Sequence, residues 1–318
     1  MTLADARQEF LDYLAERNKS LRTVKTYGFA INKFLAFAQA EGLEASSDVA
    51  GITGQLLRAY SRHLFHQRLS VSGRKTYLVA LTAWFKHLAA AEICQVNADA
   101  IELPRVTPAP PNPDERLPDL LRLQPPAFES KEQQLTWRRD HALLRVLFDT
   151  NARVSEVAAL NRQSIDFEKG LAVIVGKGGK VRTVFFSDEC IKALDAYLSE
   201  RKDDYDPLFI RHNPGTKHDR IDRDGNGLRL SVRSIQLIVR KYARKAGIKA
   251  TPHSFRHYGG TEMVRSGADI RSVQEYLGHK SVSTTQMYTH VSPQRLMDEW
   301  RRFHPAAAES PRTGPPRE

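Results

Sequence analysis

The stretch TPHSFRHYGG, Thr251 to Gly260, sets His253 and Arg256 at i, i+3, so one helical turn offers an imidazole and a guanidinium to the same ligand. His257 lies i+4 from His253, the spacing by which two histidines hold zinc in HExxH. Here Ser254 stands in the glutamate position and the cationic Arg256 sits between the two rings, which repels a metal ion. A phosphate oxygen suits the pair better: arginine offers a fork of donors, and histidine donates or moves a proton. LGHKS and TTQMYTH follow, adding His279 and Tyr288 without the acids a metal site wants. A zinc hydrolase built on His253 and His257 is the rival reading, and stoichiometric zinc would support it.

The whole chain has a matching charge. Its 318 residues carry 48 Lys and Arg against 37 Asp and Glu, a formal net charge of +11. Such an excess points to a polyanionic partner, nucleic acid or an acidic membrane surface. Hydrophobic residues at 41% and charged residues at 27% are ordinary for a soluble globular protein, and the length allows two domains with real cores. No apolar run is long enough to cross a bilayer, and MTLADARQEF lacks the basic-then-apolar pattern of a secretion signal. Cys94 and Cys190 form no CxxC pair and read as buried small hydrophobes in a reducing compartment. A cytoplasmic, nucleoid-associated protein is expected.

The elements that position these residues can be read in order. Val24, Tyr27, Ile31, Phe34 and Leu35 recur at helix spacing after a Ser20/Thr23 start signal. Leu57, Tyr60 and Leu64 repeat the pattern, and Tyr77, Leu78, Leu81, Trp84, Phe85 and Leu88 make a third apolar face. These stripes predict a helical bundle with Arg22, Lys25, Arg74 and Lys75 exposed. LPRVTPAPPNPDERLP cannot continue a helix and reads as a linker. Beyond it, HALLRVLFDT and NARVSEVAAL are helical, and LAVIVGKGGKVRTVFF is a β-hairpin around a glycine-rich turn. SVRSIQLIVRKYARKAG is a helix with Ile235, Ile238, Val239 and Tyr242 inside, Arg233, Arg240, Lys241, Arg244 and Lys245 around the rest, and Gly247 as its stop. Helices are predicted around Thr251–Ser266, Asp269–Leu277 and Ser283–Tyr288, and a last one from Pro293 to Phe303 with Leu296, Met297, Trp300 and Phe303 on one face. No repeat of solenoid period is visible. DRIDRDGNG has the acids of a calcium loop but lacks its final Glu, so calcium is disfavoured.

Taken together, Arg153 in NARVSEVAAL, Lys177 in VGKGGK, His253 and Arg256 in HSFRH, His279 in LGH and Tyr288 in STTQMYTH resemble the tyrosine recombinases, or phage-type integrases, in order, spacing and flanking residues. The layout is most similar to the Xer-like branch. The resemblance implies a mainly α fold with a small β-sheet: a helical, SAM-like core-binding domain over residues 1–104, a proline-rich linker over 105–117, a mixed α/β catalytic domain over 118–304 and a disordered tail over 305–318. It implies that Tyr288 attacks a DNA phosphodiester, forming a 3′-phosphotyrosyl link and freeing a 5′-hydroxyl. Strand exchange would pass through a Holliday junction, in Xer-type dimer resolution or mobile-element integration. Arg153 and Arg256 would clamp the non-bridging oxygens. Lys177 would protonate the leaving 5′-oxygen, His253 would assist proton transfer at Tyr288, and His279 would donate to the phosphate. No cofactor and no divalent metal would be required. Two linked domains would close as a C-shaped clamp on duplex DNA, with phosphate contacts from Arg22, Lys25, Arg74, Lys75, Arg233, Arg240, Lys241 and Arg244. The last helix would dock on a neighbour in a homotetramer or heterotetramer on two DNA sites.

Each residue alone has a plainer reading. Arg153 could pair with Glu156 one turn on, Lys177 could be a turn lysine, His279 a helix cap and Tyr288 a half-buried core tyrosine. Tyr258 and Tyr276 are rival hydroxyls assigned to packing. A type IB topoisomerase-like nicking and closing enzyme, or a DNA-binding regulator with a spent catalytic domain, would use the same architecture. The departures from the family pattern are Asn151 where a Gly is frequent, Gly259 and Gly260 where bulkier residues are frequent, which predicts a looser helix behind Arg256, and a proline-rich linker and a loop around Asp219–Gly227 longer than the family's minimum.

Overall fold

Hydroxyl side chains start the four α-helices described in the N-terminal region. Thr2, Ser20, Thr53 and Ser70 accept from the backbone N–H of Asp5, Thr23, Leu56 and Gly73 at 3.1–3.2 Å, so each helix begins with an orphan donor satisfied. They open α1 (Leu3–Glu16), α2 (Leu21–Ala40), α3 (Gly54–His66) and α4 (Val71–Ala90). The structure, a computed structural model, describes residues 1–94, 96–105, 114–176, 179, 181–212, 224–278 and 293–309. The chain divides into two units, Met1–Pro110 and Pro111–Glu318, each with its own core.

The first unit packs the predicted stripes together. Ile31, Phe34, Leu57, Tyr60, Leu64, Leu78, Leu81, Trp84, Phe85 and Leu88 are buried, while Val24, Tyr27, Leu35 and Tyr77 pack at the edge. Phe34 meets Tyr60 and Phe85 edge-on, at 5.2 Å and 6.0 Å between centroids. α1 completes the core with Leu3, Ala6, Phe10 and Leu14, and the Trp84 indole donates to the Ala6 carbonyl at 3.1 Å. α2 and α4 have the same length, 20 residues, and the interval from Ser20 to Ser70 also separates two left-handed residues, Asn18 (φ 52°) and Arg68 (φ 55°). The unit is thus two similar helical pairs.

In the second unit a long helix, α5 (Lys131–Thr150), runs through the core and leads into the short α6 (Val154–Ala159). An antiparallel sheet follows in the order β1 (Ile165–Asp166), β2 (Leu171–Val175), β3 (Val181–Phe185), with Val175 opposite Val181 and Ile174 opposite Arg182. Then come α7 (Asp188–Leu198), α8 (Val232–Lys245), α9 (Pro252–Arg265), α10 (Ile270–Leu277) and α11 (Pro293–Phe303). The chain is mainly helical with one small sheet among the described residues. The hairpin, the basic helix and the helices at 251–266 and 269–277 lie where their patterns predict, whereas α1 and α7 carry weaker signals and were not foreseen.

Two boundaries differ from the sequence reading. The expected linker runs to residue 117, yet Leu117 is buried with Leu120 and Leu121, because three leucines at i, i+3, i+4 form a core-facing 3-10 turn, Leu117–Leu121. Residues 106–113 lie outside the described part. The expected disordered tail begins at 305, yet Pro305–Glu309 form a 3-10 turn with Ala306 buried in the core at 1% exposure and its N–H bonded to His304 Nδ1 at 3.1 Å. The predicted Ser283–Tyr288 helix, residues 310–318 and most of DRIDRDGNG lie outside the described residues. Within the single chain α11 packs on its own unit through Leu296, Met297, Trp300 and Phe303. Both cysteines are buried and free. No described helix is long and apolar enough to cross a membrane.

Candidate active site

The end of α5 makes a turn that only certain residues allow. Asn151 caps the helix with φ 48° and ψ 26°, a left-handed geometry that asparagine tolerates better than most residues. Two residues on, Arg153 returns to extended backbone as the N-cap of α6, and its N–H donates to Glu156 Oε2 at 2.7 Å. The turn is tied down from several sides. Tyr276 OH and Trp300 Nε1 both donate to the Asp149 carbonyl, at 2.7 Å and 3.1 Å. His304 Nε2 lies 2.5 Å from the Asn151 amide, and its Nδ1 accepts from the Ala306 N–H at 3.1 Å.

α9 delivers the HSFRH residues. Pro252 at its first position and reciprocal bonds between Thr251 and Ser254 fix where it starts. His253 and His257 are exposed, with ring centroids 4.3 Å apart, while Arg256 is buried at 4% exposure. Arg256 Nη1 donates to the Asn151 carbonyl at 2.9 Å, and its Nη2 donates to the Leu277 carbonyl. Arg153 Nη2 donates to the next carbonyl, that of Gly278, at 3.2 Å. Two guanidiniums from distant parts of the chain thus share the C-terminal end of α10, where the helix dipole favours cations.

Charge is unbalanced at this point. Glu156 is buried and takes Arg153 Nη1 at 2.9 Å, and Arg182 in a fork at 3.0 Å and 2.8 Å. Burial pushes its carboxyl upward, but the bonds from Arg182 and from the Arg153 backbone and side chain outweigh this and hold it below its usual value. Arg256 is driven the other way for a cation: burial, then the neighbouring Arg153 and Arg182, push its guanidinium down to about 10. Burial lowers His253 too, helped by His257, Arg256 and Arg153, all of which disfavour the charged ring. Three guanidiniums around one carboxylate leave positive charge that an anionic ligand would relieve. Among the described residues no group of three or more His, Cys, Asp and Glu side chains could hold a metal ion.

The structure therefore brings Arg153, His253 and Arg256 together. Lys177, His279 and Tyr288 lie outside the described residues; Gly176, one residue before Lys177, follows β2, and Gly278, one residue before His279, caps α10. Tyr276, one rival hydroxyl, is buried and committed to Asp149, and Tyr258 is buried against Phe148 at 5.8 Å. Arg22 and Lys25 are exposed on the first turns of α2, and Arg74 and Lys75 are half-buried on α4, with Arg74 over the Phe65 ring at 5.1 Å. Arg233, Arg240, Lys241 and Arg244 are exposed on α8, although Lys241 also pairs with the buried Asp140 at 3.3 Å. Arg182 was missed by the sequence reading: nothing local links β3 to α6.

Gly259, where a looser helix is expected, also faces Asn151. A Cβ at Gly259 would meet the Asn151 amide at 2.2–2.5 Å, so the glycine makes room for the asparagine. Asn151 and Gly259 are thus complementary in volume.

Comparison with known proteins fits this arrangement. Residues 128–295 match the phage integrase family and residues 7–94 the phage integrase N-terminal SAM-like domain. Tyrosine recombinase XerC of Pelobacter propionicus is 35% identical over 300 residues, 92% of each chain. Tyrosine recombinase XerA of Pyrococcus furiosus is 33% identical, over 93% of this chain and 92% of its own. Among solved structures, XerH recombinase bound to its difH substrate is 25% identical with a TM-score of 0.60, covering 91% of this chain and 82% of that one. A lambda integrase fragment bound as a dimer to a core site has the same fold, with a TM-score of 0.66 at 14% identity, over 92% of this chain and 100% of that one. The chain belongs to the phage integrase family and is a tyrosine site-specific recombinase of the Xer-like kind.

Two outcomes follow from this geometry. Gly259→Ala should destabilise the protein by about 1–3 kcal/mol through overlap with Asn151, and adding Asn151→Gly should restore much of the loss, as read by denaturant unfolding. A single variant as stable as wild type would refute the overlap. The second concerns His304, whose burial pushes its imidazole down from 6.5 to about 3. Between those values the unfolded chain binds the extra proton, so this contribution to stability is complete above about pH 6.5 and is lost as pH falls. Stability should therefore drop between about pH 7 and about pH 5 more steeply in wild type than in His304→Gln. Equal slopes would contradict the neutral buried ring.

Proposed function

We propose that the chain binds a specific duplex DNA site and exchanges strands through Tyr288. The Tyr288 oxygen attacks phosphorus, a bond forms between them, and the bond from phosphorus to the 5′-oxygen breaks. Lys177 supplies the proton that leaves with the 5′-hydroxyl. A 5′-hydroxyl from a second DNA then attacks the 3′-phosphotyrosyl link and releases the tyrosine, so phosphodiester bonds are exchanged without ATP. Arg153 and Arg256 offset the charge that grows on the non-bridging oxygens, His253 assists the proton at Tyr288, and His279 donates to the phosphate.

The observation that carries this reading is the anchoring of Arg153 and Arg256 on the consecutive carbonyls of Gly278 and Leu277, in a pocket of unbalanced positive charge. The recombinase relatives favour strand exchange over simple relaxation. The basic residues of α2, α4 and α8 would contact phosphates, with affinity falling steeply as salt rises. Two DNA sites and a tetramer, of this chain alone or with a related recombinase, would complete the exchange at the nucleoid, in dimer resolution or mobile-element integration.

Trapping covalent protein–DNA adducts on genomic DNA and sequencing the joined ends tests the reading and maps the site. Wild type should give adducts at a discrete sequence, and Tyr288→Phe should bind the same DNA but give none. Adduct formation by Tyr288→Phe would overturn the assignment of the nucleophile.

A further inference from the structure

Arg182 belongs to none of the sequence motifs, yet its side chain meets the residues that hold Arg153. It projects from β3 at the position opposite Ile174, one residue past the pair Val175–Val181 that ends the strand ladder. Its side chain is only 11% exposed, and its two terminal nitrogens are spent on Glu156, at 3.0 Å and 2.8 Å. The same carboxylate accepts from the Arg153 side chain and from the Arg153 backbone N–H. Arg182 also reaches the end of α10: a Cβ on Gly278, whose carbonyl takes Arg153 Nη2, would lie 3.3 Å from Arg182 Cδ.

We propose that Arg182 is a positioning residue for strand cleavage, acting on Arg153 through the shared carboxylate of Glu156. The inference rests on the role given to Arg153 above. Its physical basis is competition for one negative charge. With Glu156 alone, Arg153 forms a closed i, i+3 ion pair whose positive charge is largely cancelled and whose orientation follows the carboxylate. With Arg182 holding both carboxylate oxygens, the carboxylate is fixed and its charge is shared, so a net positive charge stays on the trio. Arg153 then faces the scissile phosphate as a cation rather than as half of a neutral pair. The role needs a planar fork, because each carboxylate oxygen receives its own donor; a lysine ammonium supplies the charge without that geometry.

Arg182→Ala and Arg182→Lys can be compared with wild type on a nicked suicide duplex carrying the mapped cleavage site. Covalent-adduct formation is followed at saturating protein, together with duplex affinity and thermal unfolding. Arg182→Ala should slow cleavage by about 100-fold and Arg182→Lys by about tenfold, with duplex affinity within about threefold of wild type. A second duplex with a 5′-bridging phosphorothiolate, whose sulfur leaves without a proton, separates the two routes by which β3 could act. The defect should persist on it, because the charge at phosphorus is unchanged. Recovery on the phosphorothiolate would overturn the proposal in favour of a role through Lys177. Parallel loss of affinity and cleavage would overturn it in favour of a binding role, and wild-type cleavage by Arg182→Lys would show that no fork is needed. If Arg182→Ala does not fold, Arg182→Lys alone decides. Failure of the wider reading is distinct, since wild type would then form no adduct in the same assay.

Discussion

Burying guanidinium groups beside one another costs energy unless each finds fixed acceptors, and the catalytic unit is built around that constraint. Arg256, Arg153 and Arg182 converge from α9, the α5–α6 turn and β3 onto one carboxylate and two neighbouring carbonyls at the end of α10. Neutralising them completely would satisfy the folded chain but leave nothing for a phosphate. The arrangement instead gives Arg256 carbonyl oxygens, which carry no formal charge, and shares a single acid between Arg153 and Arg182. Geometry is fixed and positive charge is kept, which is the preorganisation a phosphoryl-transfer site requires.

Much of the second unit follows from holding the Asn151 turn. Its left-handed backbone puts Arg153 at the start of α6 and turns the Asn151 carbonyl toward Arg256. Asp149 next to it receives bonds from Tyr276 on α10 and Trp300 on α11, and His304 reaches the Asn151 amide. The C-terminal helix is therefore part of the support for the first arginine, and whatever moves α11 bears on that turn. Gly259 belongs to the same structure, since it supplies the space the asparagine occupies.

Local pattern carried part of this and could not carry the rest. The His253–Arg256 spacing and the Arg153–Glu156 pair are relations within one helical turn, so both were legible, as were the apolar stripes of α2, α3 and α4. The role of Arg153 came only through the resemblance to a family, because an arginine at a helix start looks the same whether it binds solvent or phosphate. Arg182 was invisible for a physical reason: its partner is 26 positions away on another element, and a strand arginine carries no periodic signal. The space Gly259 leaves for Asn151 was not legible, because a glycine inside a helix lowers propensity whatever its purpose, and the clash it avoids involves a residue at the end of another helix. The buried 3-10 turns at Leu117 and Ala306 sit in proline-flanked segments whose composition resembles linker and tail, and packing overrode composition there.

In the proposed function, Arg153 and Arg256 act on one phosphate as a unit. A double-mutant cycle on single-turnover cleavage, with Arg153→Lys, Arg256→Lys and the pair, measures this directly. Two groups on the same phosphate should be coupled by about 1 kcal/mol or more, so the double variant would be less impaired than the product of the single losses. Single losses that simply multiply would place the two guanidiniums on separate tasks and contradict the site described.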